Sequence, residues 1–164
     1  MVILKGDFKL TYDELLIEAA KDGLKIKEKP LSFGLKGLYK NGKIIIDKNL
    51  NTNTERRCIL AEEIGHHHKT YGNIIDENDI SNKKQERIAR IWAYKKLVGL
   101  TDIIRAHKYG VKSRFEFAEY LNVTESFLDE ALSYYKDKYG LWYELDNYII
   151  RFDPLGVLEK FQDF

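Results

Sequence analysis

A chain of 164 residues with 44% hydrophobic and 13% aromatic residues is long and apolar enough to bury a core, which excludes a disordered polymer. A formal net charge of +1 argues against a polyanion partner, and a single cysteine, Cys58, excludes an intrachain disulfide. No stretch approaches the roughly 20 apolar residues of a membrane helix, and the opening Met-Val-Ile-Leu-Lys-Gly-Asp is too short an apolar run for a signal peptide; a cytoplasmic protein without a membrane partner is expected.

Thr11 stands three residues before Glu14, the capping-box spacing of a helix that starts near Tyr12 and stops at Asp22-Gly23. Residues 24–29 alternate apolar and polar side chains and close at Pro30, a strand pattern. Gly37–Lys40 and Lys43–Asp47 flank Asn41-Gly42, a strong hairpin signal, so an antiparallel sheet of about three strands is expected. Asn53 or Thr54 then begins a helix running through Cys58, Leu60, Ala61 and Ile64 to about His68. Residues 71–84 read as a loop or broken turn, overlapping the start of a second helix over 82–97 that turns Ile88, Ile91, Trp92 and Ala93 inward.

Thr101, Ser113 and Thr124 are expected to cap three further helices, the first ending at Gly110 and the last at Gly140. Residues 141–152 are aromatic and β-branched enough for a strand pair turning at Asp146-Asn147, and the last ten residues read as a loose tail. The fold class is α+β: a small antiparallel sheet packed with a central helix, followed by a helical C-terminal region and a terminal strand pair. The expected domains are 1–100 and 101–164.

The chemistry concentrates in Cys58-Ile59-Leu60-Ala61-Glu62-Glu63-Ile64-Gly65-His66-His67-His68. On a helix, Glu62 and His66 share a face one turn apart. The metallopeptidase signature H-E-x-x-H needs two ligands at that spacing and a glutamate beside the first that can deprotonate water. Here Glu62-Glu63-Ile64-Gly65-His66 departs from it only at the first position, where Glu stands for His. A carboxylate oxygen binds Zn²⁺ at about 2.0–2.2 Å, so zinc still fits, while the harder oxygen also admits another divalent ion. Glu86, twenty residues after His66, is the candidate third ligand; three donors and an open fourth position make a hydrolytic geometry.

Leu60-Ala61-Glu62-Glu63-Ile64-Gly65-His66-His67, followed by Glu86-Arg87-Ile88-Ala89 and Trp92-Ala93, resembles the ImmA/IrrE family of zinc metallopeptidases, in its phage and mobile-element branch. The resemblance implies a zincin-like domain over 1–100 and a helix-turn-helix-like C-terminal region over 101–164. It implies Glu63 as general base, His66 and Glu86 as metal ligands, and Glu62 in the first-ligand position. The implied function is a metal-dependent endopeptidase that cleaves or inactivates a helix-turn-helix repressor. The alternative is a catalytically inactive, antirepressor-like module that binds such a repressor without cutting it. An exposed hairpin strand beside the active-site helix would hold an extended peptide by strand addition.

Other residues carry blander readings. His67 and His68 lie about 100° and 200° from His66 around a helix and read as exposed histidines near its end. Cys58 reads as a buried thiol, His107 as structural or solvated, and Tyr71 as an electrophilic aid near the site. Residues 115–128 resemble helix–turn–helix, but residues 101–140 hold six Lys+Arg against seven Asp+Glu, with Asp129 and Glu130 on the would-be recognition helix. That segment is read as a platform for packing or protein contact, and no direct nucleic-acid binding is expected.

Overall fold

In the computed structural model, which describes residues 10–70 and 79–161, the chain divides into two units, Met1–Ala93 and Tyr94–Phe164. Helix α1 (Tyr12–Lys21) starts as the Thr11/Glu14 spacing requires. The Thr11 hydroxyl accepts the Glu14 N–H at 3.2 Å, and the Glu14 carboxylate accepts the Thr11 N–H at 2.7 Å. Strands β1 (Lys25–Lys29), β2 (Gly37–Lys40) and β3 (Lys43–Asp47) follow. Asn41 and Gly42, at φ 49° and 73°, supply the two left-handed residues of the two-residue hairpin turn.

The sheet is mixed rather than wholly antiparallel. Its order is β1-β3-β2, with β3 antiparallel to β2 and parallel to β1. Residues 30–36 carry the chain past the position beside β1, and β3 fills it; nothing local in the sequence marks that crossover. Because side chains alternate along a strand, the register puts Ile26, Ile44, Ile46, Gly37 and Tyr39 on one face. Ile44 and Ile46 are buried there, and helix α2 (Asn53–Thr70) packs against β2 and β3.

Helix α2 begins at Asn53 as expected, and the Thr52 hydroxyl before it accepts the Glu55 N–H at 3.1 Å. Arg56 donates to the carbonyls of Lys48 and Leu50, at 3.1 and 2.7 Å, while the buried Arg57 donates to the Leu10 carbonyl at 2.5 Å. These bonds tie the first turn of α2 to the loop after β3 and to the start of α1. Cys58, Leu60, Ala61 and Ile64 are buried, the thiol as expected. Helix α3 (Asp79–Leu97) begins three residues earlier than expected, and the division between units falls within it, after Ala93. Tyr71 and the loop expected around it lie outside the described residues.

In the second unit, α4 (Leu100–Lys108) is capped by Gly99, with Thr101 inside its first turn. Ser113 caps α5 (Arg114–Leu121) in a full capping box with Glu116, and Thr124 caps α6 (Glu125–Tyr139). Asn122, left-handed at φ 52°, turns the chain between them. Strands β4 (Trp142–Leu145), β5 (Tyr148–Phe152) and β6 (Leu155–Glu159) form an antiparallel sheet in chain order. The expected loose tail is thus a third strand as far as Glu159. Leu155 and Val157 share the inner face with their partners Phe152 and Ile150, and the buried Val157 fixes the register. Phe117, Leu121, Leu128 and Ile150 fill this core, and the Tyr135 hydroxyl donates to the Val98 carbonyl at 2.7 Å. Among the described residues, no helix is long and apolar enough to cross a membrane.

Candidate active site

Helix α2 presents its chemistry on two adjacent faces, because successive residues are about 100° apart. Glu63 and His67, four apart, turn toward β2. The approach is close: a Cβ on Gly37 would stand 2.5 Å from Glu63 Oε1 and 2.6 Å from Ile59 Cγ2, so only glycine leaves room for that carboxylate. His67 Nδ1 lies 3.1 Å from the Tyr39 hydroxyl, which also accepts the Gly42 N–H at 3.1 Å. His67 is therefore half-buried against β2 rather than exposed; His68 is exposed, with its ring 4.9 Å from that of Trp92.

Glu62 and His66 occupy the neighbouring face. His66 Nε2 stands 3.0 Å from Glu86 Oε2 on α3, and the other Glu86 oxygen receives Arg90 Nε at 3.2 Å. Gly65 permits this meeting of helices: a Cβ there would fall against the Ala89 backbone, 3.0 Å from its carbonyl carbon and 3.1 Å from its Cα. Two donors on one tetrahedral zinc, each about 2.0–2.1 Å away, stand roughly 3.3 Å apart. His66 and Glu86 fit such a shared ion in spacing and in donor type. Glu62 acts electrostatically on Glu63 and on Lys36. Among the described residues, no group of three or more His, Cys, Asp or Glu is gathered as a metal seat.

Glu63 is the perturbed group. Burial, then the negative charges of Glu62 and Glu86, push its pKa up to about 7, while a hydrogen bond from the Tyr39 N–H draws it back. The free edge of β2 explains that last partner. The Asp47 N–H donates to the Lys36 carbonyl at 2.9 Å, so 36/47 is a hydrogen-bonded pair. Alternation then makes Gly37/Ile46 and Tyr39/Ile44 non-hydrogen-bonded pairs, whose N–H and C=O groups point away from β3. Tyr39 and Gly37 escaped the sequence reading because their contacts span more than twenty residues. Arg90 was within reach of it, four residues beyond Glu86.

A half-buried carboxylate titrating near neutrality, beside a His–Glu pair and an open strand edge, has the makings of a hydrolytic centre, and the fold is peptidase-like. The model of the IrrE N-terminal-like domain family, peptidase M78, matches residues 18–133, and the chain belongs to that family of zinc metallopeptidases. No curated protein matches the chain.

Proposed function

We propose that the protein is a metal-dependent endopeptidase acting on a protein substrate, of the kind that cleaves or inactivates a phage or mobile-element helix-turn-helix repressor in the cytoplasm. The observation that carries this reading is Glu63: a carboxylate raised to about 7, next to the His66–Glu86 pair. Such a group accepts a proton at neutral pH and can return it, as a general base and then acid must. His66 and Glu86, with Glu62 one turn before His66, are the residues that would hold Zn²⁺ or another divalent ion. When bound, that ion supplies Lewis-acid polarisation of the scissile carbonyl and of water. Glu63 takes the proton of the attacking water and delivers it to the leaving amine. The outward amides of Gly37 and Tyr39 align an extended peptide along β2.

A second reading has its own observation. Glu in the first-ligand position, and the lack of a gathered three-donor seat among the described residues, favour a catalytically inactive module that binds a repressor without cutting it. Incubating the zinc-loaded chain with a candidate repressor and resolving the products by mass spectrometry separates the two. Fragments from wild type and none from Glu63→Gln, with equal zinc content, support the peptidase. Binding without fragments across zinc, manganese and cobalt supports the module.

A further inference from the structure

The sheet has a second face, turned away from α2. Lys25, Lys27 and Lys29 on β1 stand in register with Lys43, Ile45 and Asp47 on β3, and Ile45 and Lys43 with Leu38 and Lys40 on β2. Paired residues share a face. Five lysines therefore surround two aliphatic side chains, and all five are exposed. None of the five forms an ion pair or side-chain hydrogen bond among the described residues. The one carboxylate on this face, Asp47, accepts the N–H groups of Leu31 and Asn49, at 3.3 and 3.1 Å.

The whole-chain charge conceals this. Residues 21–48 hold eight lysines against three acidic residues, a net of +5, where the full chain carries +1. An edge strand bearing lysines is also a defence against unwanted strand pairing. That defence accounts for β1 but not for Lys43 on the central strand.

We propose that this outer sheet face docks on the phosphate backbone of double-stranded DNA, without reading its sequence. Alternate residues along a strand recur at about 6.6 Å and neighbouring strands at about 4.8 Å, so the lysines cover a patch of roughly 13 by 10 Å. A B-form duplex presents one phosphate per about 1.7 Å of axis, or roughly eight over that length on both strands, of which about four turn to one side and spread across two strands as the lysines do. An extended acidic peptide offers about three carboxylates on one face over the same length, in a single row. The face carries no aromatic ring on which unpaired bases would stack, and no arginine fork to read guanine. Lysine contacts phosphate as a point charge and leaves bases unread. The surface does not depend on the chemistry of the candidate active site. A repressor-like substrate would sit on the same duplex, so docking there would bring the site to its target.

The test is fluorescence anisotropy with the full chain and a labelled duplex of arbitrary sequence, about 20 base pairs long, from about 50 to 200 mM NaCl. Neutralising up to five phosphates gives a log–log slope of about −3 to −4.5, so the fourfold salt step weakens binding roughly 60–500-fold. Removing two lysines, Lys25→Gln with Lys29→Gln, should flatten the slope by about 1.8. Lys138→Gln in the second unit and Glu63→Gln should leave duplex binding unchanged, which keeps this test independent of peptidase activity. A slope near zero, or a double variant that matches Lys138→Gln with both folded by circular dichroism, overturns the proposal. Equal competition by polyglutamate of matched charge assigns the face to acidic protein instead.

Discussion

The two units treat charge in opposite ways. In the second, the ionic groups neutralise one another locally: Arg114 grips Asp129 and Glu125, each at 2.6 Å, Lys136 grips Asp153 and Lys160 grips Glu144, also at 2.6 Å. Asp129 on the would-be recognition helix is held by Arg114 of the preceding helix. In the first unit charge is sorted by face. The charges of Glu62 and Glu86 raise Glu63 beside β2, while five lysines crowd the opposite side of the sheet. Exposed ion pairs add little to stability. Sorting like charges costs stability, and a fold keeps that cost where a ligand supplies the missing countercharge.

The largest effect should come from closing the gap between α2 and α3. Gly65→Ala forces a Cβ onto the Ala89 backbone and should destabilise by about 2–3 kcal/mol, read as a lower urea midpoint. It should also weaken zinc binding, since it separates His66 from Glu86. In the second unit, Gly140→Ala meets no atom within 4 Å but must hold φ 89°; a cost of about 1 kcal/mol is expected, with no change in zinc binding.

Next comes Glu63→Gln in metal-free protein. A carboxyl whose pKa is raised by folding binds its proton more tightly in the native state. Its contribution to stability is therefore full below about pH 4.5 and lost as pH rises through about 7. Glutamine removes that loss, so the variant should exceed wild type by about 1–3 kcal/mol at pH 8.5 and match it near pH 4. Parallel melting curves over that range check the sign; a variant less stable at high pH would remove Glu63 from its crowded setting.

Smaller still, Glu62→His restores a nitrogen donor one turn from His66 and should tighten zinc about tenfold, near 1.4 kcal/mol, by competition against a chromogenic chelator. No gain would separate position 62 from the His66–Glu86 pair. Ser113→Ala, which removes only a helix cap, should cost about 1 kcal/mol and leave the first unit's chemistry intact.

What could be read from the chain was what lies close along it. The Thr11/Glu14 box, the Asn41-Gly42 turn and the Ser113 and Thr124 caps are set within four residues, and each forms. The E-E-x-x-H spacing, and Glu86 one helix later, likewise led to a pair that meets at 3.0 Å. What escaped depends on distant partners. The parallel docking of β1 on β3 has no local signal, and β6 is a short alternation that only β5 makes a strand. His67 read as exposed because Tyr39, its partner, is twenty-eight residues away. The lysine alternation at 25, 27 and 29 was visible, yet its face could not be assembled without the register of β3.

The Tyr39 amide has one proton and two claimants. At rest it belongs to Glu63, whose pKa it draws down. Under the proposed function, a peptide carbonyl pairing with β2 would take that proton and displace the carboxylate. Glu63 would then lose that bond and become a stronger base, so that seating a peptide would also arm the group proposed to cut it.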